Sequence, residues 1–186
     1  MEKQELNEKY KILLLEDNPA DARLVREFLK EEKDIVFEVT HVDFLSKAEE
    51  CLAKEHFDII LLDLAVPDGK GPELIARVLA RAPQVPIVVL TGTYEDEVLA
   101  RELLRKGAQD YLFKGKIDGV GLTRAIHYAI ERKRFADALT ATKKELEEKV
   151  NQLETLNKIM MGREERILEL KGELEKVRGK QQVEKG

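Results

Sequence analysis

The chain has 186 residues, of which 43% are hydrophobic and 37% charged, with one cysteine and a formal net charge of -5. That length holds one well-cored domain and a more polar segment, while the acidic balance speaks against a general nucleic-acid surface, which needs clustered Lys and Arg. A lone cysteine excludes an internal disulfide or a cysteine zinc site, and Cys51, in a helix-like stretch, is expected to be a small buried thiol in a reducing compartment.

Met1 to Lys9 alternates charges without an apolar core, so no secretory signal is expected. No apolar run approaches the roughly 18 residues of a membrane span, and a cytoplasmic protein without membrane or direct DNA contacts is expected.

Tyr10 to Leu15 is a continuous apolar run followed at once by Glu16-Asp17-Asn18-Pro19, the pattern of a strand that ends in two adjacent acids. Asn18 can cap, and Pro19 can open, a helix running through Leu24, Val25, Phe28 and Leu29. Ile35 to Thr40 alternates like an edge strand, and Asp43 to Lys54 places Phe44, Leu45, Ala48 and Leu52 at helical spacing.

Ile59 to Leu62 is again apolar throughout, too short for a buried helix, and reads as a strand covered on both faces. It ends on Asp63, before a Pro67-Asp68-Gly69 turn. Gly71-Pro72-Glu73 opens a helix with Leu74, Ile75, Val78 and Leu79, which stops near Pro83. Pro86 to Leu90 is a fourth apolar strand, ending in Thr91-Gly92-Thr93. A helix from about Glu95 to Lys106 is closed by Gly107, and Asp110 to Phe113 forms a short strand ending at Lys114-Gly115.

Five strand-helix units of this length predict an α/β domain: a flavodoxin-like (βα)5 doubly wound parallel sheet of order 2-1-3-4-5, with strand two at the edge. From about Leu122 the text is strongly helical, and Leu139, Leu146, Leu153, Met160, Ile167 and Leu174 recur every seventh residue. Leu156, Leu170 and Val177 supply the three-residue companion; Thr142, Lys149 and Arg163 interrupt it, and Val150 offers another register. Flanking Glu and Lys roughly cancel, as on a coiled coil, while Gly162 is a weak point costing about 1 kcal/mol against Ala. A helix folded back on its own domain is the alternative.

The expected organisation is a tail over residues 1–9, an α/β domain over 10–133, a coiled-coil helix over 134–178, forming a parallel homodimer, and a disordered tail over 179–186.

In the predicted order Glu16, Asp17 and Asp63 end neighbouring strands. Acids this close stay ionised together only if a cation joins them, and an oxygen-only donor set favours Mg²⁺. The hydroxyl of Thr91 and the ammonium of Lys114 approach from the next two strands. A metal, a carboxylate nucleophile, a hydroxyl donor and a lysine are the equipment for phosphoryl transfer to an aspartate. Taken singly, Asp63 could cap a turn, Thr91 bond backbone, Lys114 stay solvated and Tyr111 fill the core.

Leu15-Glu16-Asp17-Asn18-Pro19, Leu62-Asp63-Leu64-Ala65-Val66-Pro67-Asp68-Gly69, Leu90-Thr91-Gly92 and Asp110-Tyr111-Leu112-Phe113-Lys114 together resemble the receiver domain of two-component response regulators over about residues 10–133. The resemblance implies that Asp63 accepts a phosphoryl group from the phosphohistidine of a histidine kinase or a histidine phosphotransfer protein. It implies that Asp17 binds Mg²⁺ directly and Glu16 through water, with the Ala65 backbone carbonyl completing the protein ligands. Thr91 and Lys114 would each bond a phosphoryl oxygen, and Tyr111 would be the switch aromatic that follows Thr91. Gly115 departs from the family, which usually has proline there.

Such a chain is a signalling domain rather than an enzyme, apart from its self-catalysed phosphorylation and dephosphorylation. It is read as a regulator acting through protein contacts and a dimeric coiled coil, or as the receiver piece of a hybrid sensor kinase. An aspartate-nucleophile phosphatase is the reading from another class; there a second Asp is expected two residues after the first, where Ala65 stands. Asp68-Gly69-Lys70-Gly71 lacks the spacing of a phosphate-binding glycine loop, His41 and His56 lack partners at metal spacing, and the residues after His127 do not resemble a kinase phosphoacceptor motif.

Overall fold

A computed structural model of the chain describes residues 8–92 and 97–183. Thr93, Glu95 and the tail over 1–7 lie outside the described residues, as do the side chains of Leu174 and Val177. The chain divides into two units, Met1–Ala136 and Asp137–Gly186.

In the first unit, strands β1 (Glu8–Leu15), β2 (Ile35–Val42), β3 (Ile59–Asp63), β6 (Ile87–Thr91) and β7 (Asp110–Phe113) form one parallel sheet in the order β2-β1-β3-β6-β7. Counted along this sheet alone, that is 2-1-3-4-5, as the sequence predicts. Helices α1 (Pro19–Lys30), α2 (Leu45–Lys54), α3 (Glu73–Arg81) and α4 (Glu97–Arg105) alternate with the strands, and α5 runs from Gly119 to Val183. Two short strands, β4 (Ala65–Val66) and β5 (Gly69–Lys70), make a separate hairpin directly after β3.

The continuous apolar runs are explained by burial on both faces, since strand side chains alternate between them. Leu13, Leu15, Ile60, Leu62, Ile87 and Val89 pack with Leu45, Leu74, Ile75 and Val78 of α2 and α3. Ile12, Leu14, Ile59, Leu61, Val88 and Leu90 pack with Val25 and Leu29 of α1 and with Leu122 and Ile126 of α5. Strand β2 carries one neighbour, and only its last residue, Val42, is buried.

Chain punctuation follows ordinary capping physics. Asn18 Oδ1 accepts from the Ala20 amide at 2.9 Å with Pro19 at the first helical position. Gly107 closes α4 with φ +106°. Asp118 Oδ1 accepts from the Gly121 amide at 2.7 Å, so α5 begins at Gly119, ahead of the Leu122 start read from sequence. Cys51 is half-buried against the core, not fully buried. Among the described residues no helix is long and apolar enough to cross a membrane.

The second unit is helical to Val183, five residues past the boundary read from sequence. Its apolar column stands exposed, with Leu139 at 71%, Leu146 at 61% and Leu153 at 66% relative exposure.

Candidate functional site

The register of the sheet assembles the site. Leu14 pairs with Leu61 and Leu15 with Leu62, so one further step sets Glu16 opposite Asp63. Both continue the alternation that faces α1 and α5. On the other side of the sheet centre, Leu90 pairs with Leu112, and Lys114, two residues on from Leu112, faces the same way. All these positions lie at the carboxyl ends of parallel strands, where open α/β sheets place their ligands.

Glu16, Asp17 and Asp63 each offer a carboxylate oxygen, and these oxygens lie within 4.8 Å of one another. Glu16 is wholly buried, Asp63 nearly so, and Asp17 is exposed at the mouth. Lys114 Nζ reaches across to this cluster, donating to Asp63 Oδ2 at 2.7 Å and to Asp21 Oδ2 at 3.1 Å. It also stands 2.6 Å from the buried Glu16 Oε2, so one ammonium meets Asp63, Asp21 and Glu16 together. Backbone groups shape the rest. Asp63 Oδ1 accepts from the Ala65 amide at 3.3 Å, and Glu16 Oε1 from the Asn18 amide at 3.2 Å.

Electrostatics follow from this crowding. Burial, and then the Asp63 charge, push the Glu16 carboxyl up to about 7, against the opposing pull of Lys114. Burial would lower the Lys114 ammonium, but its bonds to Asp63, Glu16 and Asp21 outweigh this and hold it above the ordinary lysine value.

The donor set fits a hard divalent cation. Three carboxylates converge, Asp17 is exposed enough to admit water, and every donor is an oxygen, the set a hard divalent cation prefers. The Gly71 amide donates to the Leu64 carbonyl at 2.6 Å, which makes Ala65↔Lys70 a non-hydrogen-bonded pair and keeps the Ala65 carbonyl out of the hairpin ladder.

Thr91 is buried at the end of β6, on the opposite face of the sheet from Glu16 and Asp63 by strand alternation. Tyr111 pairs with Val89, two residues before Thr91, and its half-buried ring packs on the α2–α3 side of the core and edge-on to Phe113 at 5.6 Å. Lys114 opens a 3-10 turn, Lys114–Lys116, and the Lys114-Gly115 peptide is trans.

Two groups near the site escaped sequence reasoning. Asp21 comes from the first turn of α1, the helix that covers the Glu16 and Asp63 face. The His41 ring meets the Glu16 carbonyl at 2.8 Å from β2, holding the backbone of the acidic turn rather than a metal.

Comparison with known proteins decides the family. The response regulator receiver domain family matches residues 12–127. The chain belongs to this family. The receiver domain is 32% identical over 103 residues to the transcriptional regulatory protein MalR of Bacillus subtilis, covering 55% of this chain and 43% of MalR. The chain spans less than half the length of the curated relatives it matches.

A CheY-like receiver domain from Methanospirillum hungatei JF-1 shares the fold, with a TM-score of 0.59 and 22% identity over 68% of this chain and 98% of the other. The receiver domain of a sensor histidine kinase from Pseudomonas aeruginosa PAO1 matches with a TM-score of 0.57 and 28% identity over 66% of this chain and 98% of that one; it was solved with magnesium coordinated in its active site cleft. The acidic cluster of this receiver domain is suited to the same kind of ion.

Proposed function

We propose that this receiver domain accepts a phosphoryl group on Asp63. The observation that carries the reading is Asp63 Oδ2 set 2.7 Å from Lys114 Nζ, inside a group of three carboxylates from two adjacent strand ends. A carboxylate oxygen of Asp63 would attack the phosphorus of a phosphohistidine on a histidine kinase or phosphotransfer protein. The new P–O bond forms as the P–N bond breaks, and the imidazole leaves with the electron pair and takes a proton.

Asp17, Asp63 and the Ala65 carbonyl would hold Mg²⁺, with Glu16 acting through water; the ion supplies positive charge against the phosphoryl oxygens. Lys114, already charged and bonded to Asp63, would turn to one phosphoryl oxygen, while the Thr91 hydroxyl takes another. Drawing Thr91 toward the phosphoryl group would vacate space on the sheet face it shares with Tyr111, and the ring would follow. That pair is the two-state element that phosphorylation biases.

The same groups would serve self-catalysed hydrolysis of the acyl phosphate, so the chain is a signalling module that runs its own chemistry on itself. A second reading, as the receiver of a hybrid sensor kinase, is favoured by the sensor-kinase receiver among its structural relatives.

Beryllofluoride titration with Mg²⁺, followed by fluorine NMR, tests the site. A bound signal in the wild type that is missing in Asp63→Asn supports it. Equal signals, or none in either protein, overturn it.

The exposed heptad column of α5 supports a parallel homodimer through a coiled coil, the remaining part of the proposal.

A further inference from the structure

We infer that Asp68 is a positioning residue for the cation site. Its carboxylate ties the β4–β5 hairpin to the start of α2 and thereby fixes the Ala65 carbonyl beside Asp63. This rests on the reading of that carbonyl as a metal ligand.

Two-residue strands have almost no stability of their own, so a hairpin of this size keeps one shape only if its surroundings hold it. Here it is held from three directions. At the tip, Asp68 Oδ1 accepts from the Leu45 amide at 2.7 Å and Oδ2 from the Ser46 amide at 2.8 Å. At the base, the Gly71 amide donates to the Leu64 carbonyl at 2.6 Å. Beneath it, a Cβ on Gly69 would fall 2.5 Å from Leu74 Cδ2, so the hairpin backbone lies directly on that α3 side chain.

The bond from the tip matters twice. Helix α2 has Phe44 at its N-cap, whose side chain offers no acceptor, so the first helix amides, which have no partner within the helix, take theirs from Asp68, more than twenty residues away. Desolvation opposes the charged form, but the Ser46 and Leu45 amides outweigh it and hold the Asp68 carboxyl below the ordinary carboxylate range, so the clamp stays charged. In return, α2 fixes the hairpin. Its near strand carries the Ala65 amide that bonds Asp63 Oδ1 at 3.3 Å and the Ala65 carbonyl kept free of the ladder. Without the tip anchor, the acids stay on the rigid sheet while the carbonyl loses its place.

Calorimetric titration of the full chain with Mg²⁺, paired with urea unfolding, separates positioning from simple support. Asp68→Ala should weaken Mg²⁺ binding by roughly tenfold, the scale of groups that orient metal ligands. Asp68→Asn, which keeps one acceptor oxygen, should lose less. Phe44→Ser in the Asp68→Ala background gives α2 a local cap and should recover the urea midpoint while Mg²⁺ binding stays weak.

Wild-type Mg²⁺ affinity in Asp68→Ala would overturn the inference, as would recovery of both properties by Phe44→Ser. A wild type that takes up no Mg²⁺ would overturn the cation reading and this inference with it.

Discussion

Glu16 stands far from ordinary carboxylate behaviour. Its carboxyl titrates near 7 instead of 4.5 because it is buried beside Asp63, with Lys114 only partly compensating. The folded protein therefore holds a proton that the unfolded chain has released. The stabilisation is fully present below pH 4.5 and is lost as pH rises through about 7. Urea unfolding without divalent cations should show stability falling across that window, and Glu16→Gln should flatten it. Cation uptake has the opposite sign, since Mg²⁺ competes with the same proton, and calorimetry should show its binding weaken as pH drops below about 7. Asp21 belongs to another class: its side chain is 34% exposed, so its pair with Lys114 is worth about 0–1 kcal/mol and Asp21→Ala should cost no more than that in urea. Lys114→Ala removes the only cation bonded to both Glu16 and Asp63 among the described residues. It should destabilise more at pH 8 than at pH 6, where Glu16 can take up a proton instead.

At the scale of elements, the sheet was readable because its strands carry doubled apolar runs and end in short polar signals such as Glu16-Asp17 and Thr91-Gly92. The order followed from right-handed crossovers and from the single alternating strand, β2. The β4–β5 hairpin was not readable, since two residues per strand carry no period and its shape depends on Asp68 reaching α2. Asp21 was hidden for a similar reason: its meeting with Lys114 depends on which face α1 covers, a tertiary fact. The opening of α5 was obscured by Gly119 and Gly121, poor helix formers that Asp118 makes tolerable by capping. Gly107 was legible as a terminator, and its surroundings make it demanding. With φ at +106° and a notional Cβ 2.6 Å from Leu79 Cδ1, Gly107→Ala should cost about 1–3 kcal/mol in urea unfolding.

For the whole molecule, the receiver unit would carry the proposed phosphoryl transfer, and α5 offers a surface that a second copy would cover. Leu146 and Leu153 are more than half exposed along one heptad column, and Met160 continues it. Light scattering should report a dimer for the full chain and a monomer for Leu146→Lys/Leu153→Lys, with beryllofluoride uptake unchanged between them, because neither residue belongs to the acidic site. Both properties matter only if Asp63 takes up phosphorus. The most direct measurement is the intact mass of the chain after incubation with acetyl phosphate and Mg²⁺. Addition of one phosphoryl group to the wild type, and none to Asp63→Asn or to wild type without a divalent cation, is the expected result. Equal labelling of wild type and Asp63→Asn would contradict the account.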